Sequence, residues 1–369
     1  MVGWGVRAAR VEGANDYLTV ISICNHRKNE VIMPHEQCLR LNDSAKKRLK
    51  ILFLAKWAEG DGTPDSEDGT HATYHFELRE TLRTIGFNIE ACGRYERLFE
   101  ARDYDFLFTL FNRGGFVNSE MLAPLISSYN KIPYLGASPI LRGLGDDKHL
   151  MKLAAKNRGL LTPDWEIYRR GCPSIDAPTF KTDRLVVKPN ASSASWGIKA
   201  VETWAGAKEH IEYLHARGHD AIVEDFVDGY ELAVPIIGGK GPWVLPIVRF
   251  LVDDPLAIRS YEQKRHLTES DDVVLEIYKE QPIIDRLHRH AEDILPEIWP
   301  CDYARMEFKY DPDTDALNFL EINLSCNLWS KKAVPFSARG AGVEYPELIE
   351  TILCHSMLRQ GLISSADLI

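Results

Sequence analysis

The stretch RMEFKYDPDTDALNFLEIN, residues 305–323, constrains the fold more than any other. Two strand-like runs flank the acidic turn DPDTD, the pattern of a β-hairpin with one buried and one polar face. Residues two apart in a strand share a face, so Arg305, Glu307 and Lys309 point one way while Ala304, Met306 and Phe308 point the other. In the second run Glu321 and Asn323 lie opposite to Leu320 and Ile322. A hairpin centred near Thr314 sets Glu307 across from Glu321, with opposed side chains roughly 5 Å apart. Carboxylates that close repel unless a cation sits between them. Magnesium takes oxygen ligands, and the Asn323 amide oxygen is a suitable third beside Glu307 and Glu321. Arg305 would then lean over whatever the metal holds. A solvated acidic face is the plain alternative, since most charged strand residues face water.

Upstream, the pattern divides. Residues 1–48 form an extension in which YLTVISIC and EVIMP read as a hairpin around NHRKN, ending in the charged linker DSAKKRLK, and no chemistry attaches to it. Over 49–140 strands (ILFLAKW, FNIEAC, YDFLFTLFN, IPYLG) alternate with helices, as in an open parallel sheet of α/β type. Residues 141–226 read as a small central α+β lobe, and 227–362 as a mostly antiparallel lobe ending in the helix YPELIETILCHSML. A chain of 369 residues, 45% apolar, can bury such a multi-lobed core. Successive α+β lobes imply a cleft between them, the usual place for a ligand.

The net charge of −10 comes without a basic block, which argues against nucleic acid or an anionic membrane as partner. Seven scattered cysteines without a CxxC pair indicate neither a disulfide framework nor a zinc site, and a reducing cytoplasm is the simplest home. The opening residues lack the apolar core of a leader, and no apolar run approaches the ~20 residues of a membrane span.

Further features are individually weak. Lys188 ends an apolar run before PNASSASWG, a small-residue loop whose amides could fold over phosphates or simply line the surface. Lys148, in GDDKHLMK, reads alone as a solvated helix residue. In AIVEDFVDGYEL a strand breaks at Asp228-Gly229 and resumes with Glu231, leaving backbone groups free to pair with a flat heteroaromatic edge, or making just a turn.

Taken in order, these features resemble the ATP-grasp superfamily, and within it the D-alanine–D-alanine ligases and their relatives. The likeness runs from about residue 50 to 360 through FNRGGFVNSEMLAPLISSYNKIPYLGASPILRGLGDDK, VVKPNASSASWGI, IVEDFVDGYEL, YEQKRHL, ARMEFKYDPDTDALNFLEIN and VPFSARGAGVEYPELI. The resemblance implies that Lys148 and Lys188 grip the phosphates of ATP, with the loop through Ser195 and Gly197 folding over them. It implies a hinge from Glu224 to Val227 that meets adenine through the backbone of Asp225 and Val227, with Glu231 on the ribose. Lys264 is similar to the lysine that closes over the terminal phosphate, Glu307, Glu321 and Asn323 to the ligands of two magnesium ions (or manganese), and Arg305 to the arginine at the reaction centre.

The activity so implied is an ATP-dependent ligase joining an acid to an amino acid or amine through an acyl phosphate, with loop amides near Asn327 assisting Arg305 at the oxyanion. Dimerisation is expected only by analogy with the family. The chain departs from the pattern twice. The Gly-rich start that holds the first D-alanine is replaced by AEGDGTPDSEDGTHATYH, and the loop NLSCNLWSKKAV puts Lys331 and Lys332 where the dipeptide ligase has small or neutral groups. Those lysines are candidates for a substrate anion, or a solvated pair. The departures point away from the D-alanine ligase itself and toward a specialised amino acid or natural-product ligase. A mycosporine-type ligase making an imine, another ATP-grasp activity and a non-catalytic ATP-binding protein stand as alternatives.

Overall fold

The computed structural model of the chain describes residues 37–66, 68–111, 119–192, 196–239, 241–251 and 274–369. The hairpin expected within residues 17–34 lies outside them. The stretch expected as a linker instead begins with a short helix, α1 (Asp43–Arg48), whose cap Asn42 accepts the Ala45 amide at 2.9 Å. Leu41 just before it bridges antiparallel to Leu368.

A parallel sheet follows. Its parts are β1 (Lys50–Leu54), α2 (His71–Ile85), β2 (Asn88–Cys92), β3 (Phe106–Thr109) and α3 (Leu122–Asn130), with strand order β2-β1-β3. Apolar strands are what a parallel sheet covered on both faces requires. Ile51 and Phe53 join Phe106, Phe108, Leu78 and Leu82 in one core, while Leu52 and Leu54 join Leu107, Tyr104 and Ala123 in another. The expected strand IPYLG supplies only a bridge between Tyr134 and Leu107.

Two helices, α4 (Pro139–Asp146) and α5 (Lys148–Asn157), lead to a second, antiparallel sheet. It holds β4 (Trp165–Tyr168), β5 (Leu185–Pro189), β6 (Lys199–Val201) and, after α6 (Trp204–Ala216), β7 (Ala221–Asp225), in the order β4-β7-β5-β6. Helix α6 covers one face with Ala207, Ile211 and Leu214 against Val187 and Val223.

The third sheet comprises β8 (Tyr230–Ile237), β9 (Trp243–Val244), β10 (Val248–Leu251), β11 (Val274–Ile277) and, beyond α7 (Gln281–Ile298), β12 (Tyr303–Asp311) and β13 (Ala316–Asn323). The order is β11-β10-β8-β12-β13, with β9 on the far end of β8. WVLPIVRF reads as one strand, but Pro246 has no N–H for a ladder and splits it into β9 and β10. Helix α7 buries Ile283, Leu287, Ala291, Ile294 and Ile298, a stripe at helical spacing. The chain closes with α8 (Ala333–Gly340) and α9 (Tyr345–Arg359). Helix α9 returns to the first sheet, where Leu348, Ile352 and Leu353 share the core of Phe53 and Leu78. Cys38–Ile369 thus forms one compact unit. Among the described residues no helix is long and apolar enough to cross a membrane.

Candidate active site

Arg305 pairs with Asn323, Met306 with Ile322 and Glu307 with Glu321 across the β12–β13 hairpin. Nearer the turn the register slips: Phe308 faces Phe319 and Asp311 faces Ala316, leaving Leu320 as the extra residue of a β-bulge. The turn is therefore centred between Asp313 and Thr314, and the bulge restores the opposition expected from a turn at Thr314. Parity makes the bulge matter. In an unbroken strand Glu321 would share a face with Leu317 and Phe319, which are 2% and 0% exposed in the core. The bulge turns Glu321 and Asn323 to the opposite face and sends Ile322 into the core instead.

On that polar face Arg305, Glu307 and Lys309 stand opposite Pro235, Ala233 and Glu231 of β8, and Lys309 also faces Asn318. The Arg305 guanidinium donates through Nε to Glu307 Oε1 at 3.0 Å and contacts the same oxygen through Nη2. Asn323 Nδ2 donates to Glu307 Oε1 at 3.2 Å and to Glu321 Oε1 at 3.1 Å, so one amide draws both carboxylates together. Burial works against the charge of Arg305, yet the Glu307 carboxylate outweighs it and raises the pKa above the ordinary arginine value. Cys326, in the loop beyond β13, is buried and its thiol is pushed up to about 12, which leaves it protonated and inert at neutral pH.

Among the described residues no group of three or more His, Cys, Asp and Glu side chains is gathered to hold a metal. The set present is the carboxylate pair with Asn323, and a half-turn of that amide replaces Nδ2 by Oδ1. Such hard oxygen donors, few in number, fit magnesium, which uses one or two carboxylates and completes its shell with phosphate and water.

The basic side of the site begins at α5. Asp147 caps this helix by accepting the Leu150 amide at 2.9 Å, and Lys148 N–H donates to the Asn190 carbonyl at 3.0 Å, stitching the helix start to the loop after β5. Lys148 Nζ donates to the Ser192 carbonyl at 2.9 Å and lies 3.5 Å from Glu321 Oε2, so it touches both the small-residue loop and the acidic face. Lys188 Nζ donates to Glu224 Oε2 at 2.5 Å. Glu224, expected as the first hinge residue, is 2% exposed and turns its side chain toward lysines. Lys152 is one of them, and no motif marks it: its fully buried Nζ lies 3.5 Å from Glu224 Oε1. On α5 Lys152 recurs at helical spacing with Lys148, Met151 and Ala155, all of them buried.

Ser195 and Lys264 lie outside the described residues. Gly197 has φ +71, and a Cβ there would meet Pro189 Cγ at 2.9 Å, so the loop returns to β5 only through glycine. At the hinge, Asp225 N–H donates to the Asp164 carbonyl at 2.9 Å and Phe226 N–H to the Arg184 carbonyl at 3.0 Å. The Val227 carbonyl accepts from Lys309 Nζ at 3.1 Å, a tie between the hinge and β12. Gly229 then takes φ +113, and a Cβ would stand 2.1 Å from the Tyr310 carbonyl oxygen.

In the loop after β13 the Leu328 amide donates to Tyr74 Oη at 3.1 Å and the Trp329 amide to Asn327 Oδ1 at 2.8 Å, so these two N–H groups are already engaged. The Trp329 indole donates to Glu77 Oε2 at 2.9 Å, and the Lys331 and Lys332 ammonium groups lie 5.4 and 5.5 Å from the centre of its ring. Where the first-substrate signature is absent, the loop after β1 is fastened to α2: Trp57 N–H donates to His75 Nδ1 at 3.2 Å.

The family model described as the D-ala D-ala ligase C-terminus matches residues 181–354. An uncharacterised protein of Sinorhizobium fredii is 30% identical over 224 residues, covering 60% of this chain and 66% of its own length. The D-alanine–D-alanine ligase of Albidiferax ferrireducens is 30% identical over 237 residues, covering 62% of this chain and 65% of its own. The chain thus aligns with slightly under two thirds of the length of these curated relatives. A crystal structure of the D-alanine–D-alanine ligase of Bacillus anthracis with ATP superposes with a TM-score of 0.65 at 19% identity, over 86% of this chain and 99% of that one, and shares its fold. The matched span and the common fold make this chain similar to the D-alanine–D-alanine ligases, most specifically over residues 181–354.

Proposed function

We propose that the protein is an ATP-dependent ligase that forms a carbon–nitrogen bond between a small carboxylic acid and an amino acid or amine, releasing ADP and phosphate. The observation that carries this reading is the placement of Lys148, whose ammonium reaches both the loop carbonyl of Ser192 and the Glu321 carboxylate. One lysine thus joins the place for a phosphate tail to the place for a divalent cation.

ATP is the first substrate, its base at the hinge through the backbone of Asp225 and Val227, its ribose near Glu231, and its phosphates between Lys148, Lys188 and the loop through Ser195 and Gly197. Lys264, assigned by the YEQKRHL motif, meets the terminal phosphate. Glu307, Glu321 and Asn323 would hold magnesium, which when bound neutralises phosphate charge during transfer. A carboxylate oxygen of the acid attacks the terminal phosphorus as the bond to ADP breaks, giving an acyl phosphate. The amine nitrogen then attacks the carbonyl carbon, loses a proton, and phosphate leaves. Arg305 faces that centre and stabilises the oxyanion, with Glu307 holding its guanidinium in place. The Leu328 amide is engaged by Tyr74 and the Trp329 amide by Asn327, so Arg305 carries more of this task than an amide-lined site would ask. Lys331 and Lys332, over Trp329 and beside a loop unlike that of the dipeptide ligases, favour an anionic second substrate, as in a specialised peptide or natural-product pathway.

The test is ADP release with a panel of amino acids and small acids, followed by product mass. Glu321→Gln is expected to lower substrate-stimulated turnover on the order of 100-fold. Undiminished turnover in Glu321→Gln would refute the metal assignment, and ATP binding without stimulated ADP release would leave a nucleotide-binding protein.

A further inference from the structure

We propose that Lys152 is a positioning residue for the nucleotide: its buried ammonium neutralises Glu224 and so leaves the charge of Lys188 to the phosphates. The proposal rests on the reading of Lys188 as a phosphate ligand.

Lys148 and Lys152 are one turn apart and share a face of α5. Their surroundings differ. Lys148 meets the loop and Glu321, whereas the Lys152 side chain is 0% exposed, with Nζ 3.5 Å from Glu224 Oε1 and 5.1 Å from the centre of the Trp165 ring. Glu224 stands on β7 among three paired strands and is 2% exposed, and its other oxygen lies 2.5 Å from Lys188 Nζ. Among the described residues neither Lys152 Nζ nor Glu224 Oε1 makes a hydrogen bond, so this pair interacts chiefly through charge across 3.5 Å.

A buried ion pair is a poor way to stabilise a fold, because apolar residues of similar size do as well or better. The arrangement makes sense for a ligand. Glu224 and Lys188 alone would cancel, and a phosphate would compete with a carboxylate 2.5 Å away for one ammonium. With Lys152 added, the three groups carry one net positive charge. It emerges at Lys188, the member whose side chain keeps 14% exposure. Burial by itself pushes the Glu224 carboxyl up, but the ammonium groups of Lys152 and Lys188 outweigh it and hold it ionised.

The experiment measures Mg-ADP binding by titration calorimetry for the full chain and for Lys152→Met, Glu224→Gln and the double variant. Lys152→Met is expected to weaken binding about tenfold when Glu224 is present and less than about twofold in the Glu224→Gln background, the coupling of groups that act through one another. Lys152→Arg keeps the charge and is expected to stay within about threefold of the original protein. Equal weakening in both backgrounds, or none in either, overturns the proposal, since a packing role does not depend on the charge of Glu224. If Lys152→Met does not fold, Lys152→Gln makes the same comparison with the same expected split. Failure of the unaltered chain to bind Mg-ADP overturns the nucleotide reading itself, an outcome distinct from binding that Lys152 does not influence.

Discussion

The carboxylates of the β12–β13 hairpin and the carboxylate of Glu224 face one electrostatic problem and meet it differently. Glu321 keeps 29% of its side chain exposed, and its partners include an amide and the end of Lys148, groups that can let go when a cation or phosphate arrives. Glu224 is 2% exposed between two ammonium groups, one of them fully buried, and nothing there can be exchanged without stranding a charge. The lesson is a division of labour: exchangeable charge lies on the partly exposed face of the hairpin, and fixed charge lies buried on β7 to set the local balance. Glu307 stands between the two types. It is 7% exposed and bound by Arg305, yet it shares Asn323 with Glu321.

That contrast can be broken most severely at Glu307. Glu307→Gln leaves the Arg305 guanidinium uncompensated, and a loss of about 3 kcal/mol in stability is expected together with the loss of turnover. Glu321→Gln should lose turnover while changing stability by less than about 1 kcal/mol. Denaturant midpoints of the two variants, side by side, decide whether the distinction between fixed and exchangeable charge is real. Next comes Gly229→Ala, in the turn that links the two regions, where φ is +113 and an added Cβ would overlap the Tyr310 carbonyl. A loss of about 2–4 kcal/mol is expected, read as a lower urea midpoint.

The smallest effect is one of pH. Burial draws the Lys152 ammonium down to about 8 from 10.5, against the pull of Glu224, with Lys188 opposing its charge and Asp164 favouring it. Between those values the unfolded chain binds more protons than the folded one, so this group's contribution makes stability rise with pH across that window. Nucleotide affinity should move the other way, weakening a few-fold above pH 8 as the charge is lost. Lys152→Met is expected to flatten both profiles, measured by denaturant midpoint and by Mg-ADP titration.

Strand alternation made the polar face of Arg305, Glu307 and Lys309 legible, because period two survives wherever a strand is regular. The bulge at Leu320 was not legible, since it shows only when Leu317 and Phe319 are seen in the same core as Ile322. Lys152 was hidden because a helical lysine faces water by default, and only the packing of α5 sends it inward. The hinge from Glu224 to Val227 is an expectation from the motif, and the direction of the Glu224 side chain depends on three strands meeting around it. Helix α7 and the break at Pro246 are missing from the sequence reading, although neither needs tertiary knowledge. The stripe from Ile283 to Ile298 and the missing N–H of proline are both written in the residues.

Helix α9 lies next to the last strand in sequence, yet it roofs the sheet laid down first. A stop codon ahead of Tyr345 would therefore injure a layer distant in sequence, exposing Phe53 and Leu78 to water. A ribosome that has finished β1 and α2 must also make both later sheets before the segment that seals them, so the maturation of this layer lags behind its own synthesis.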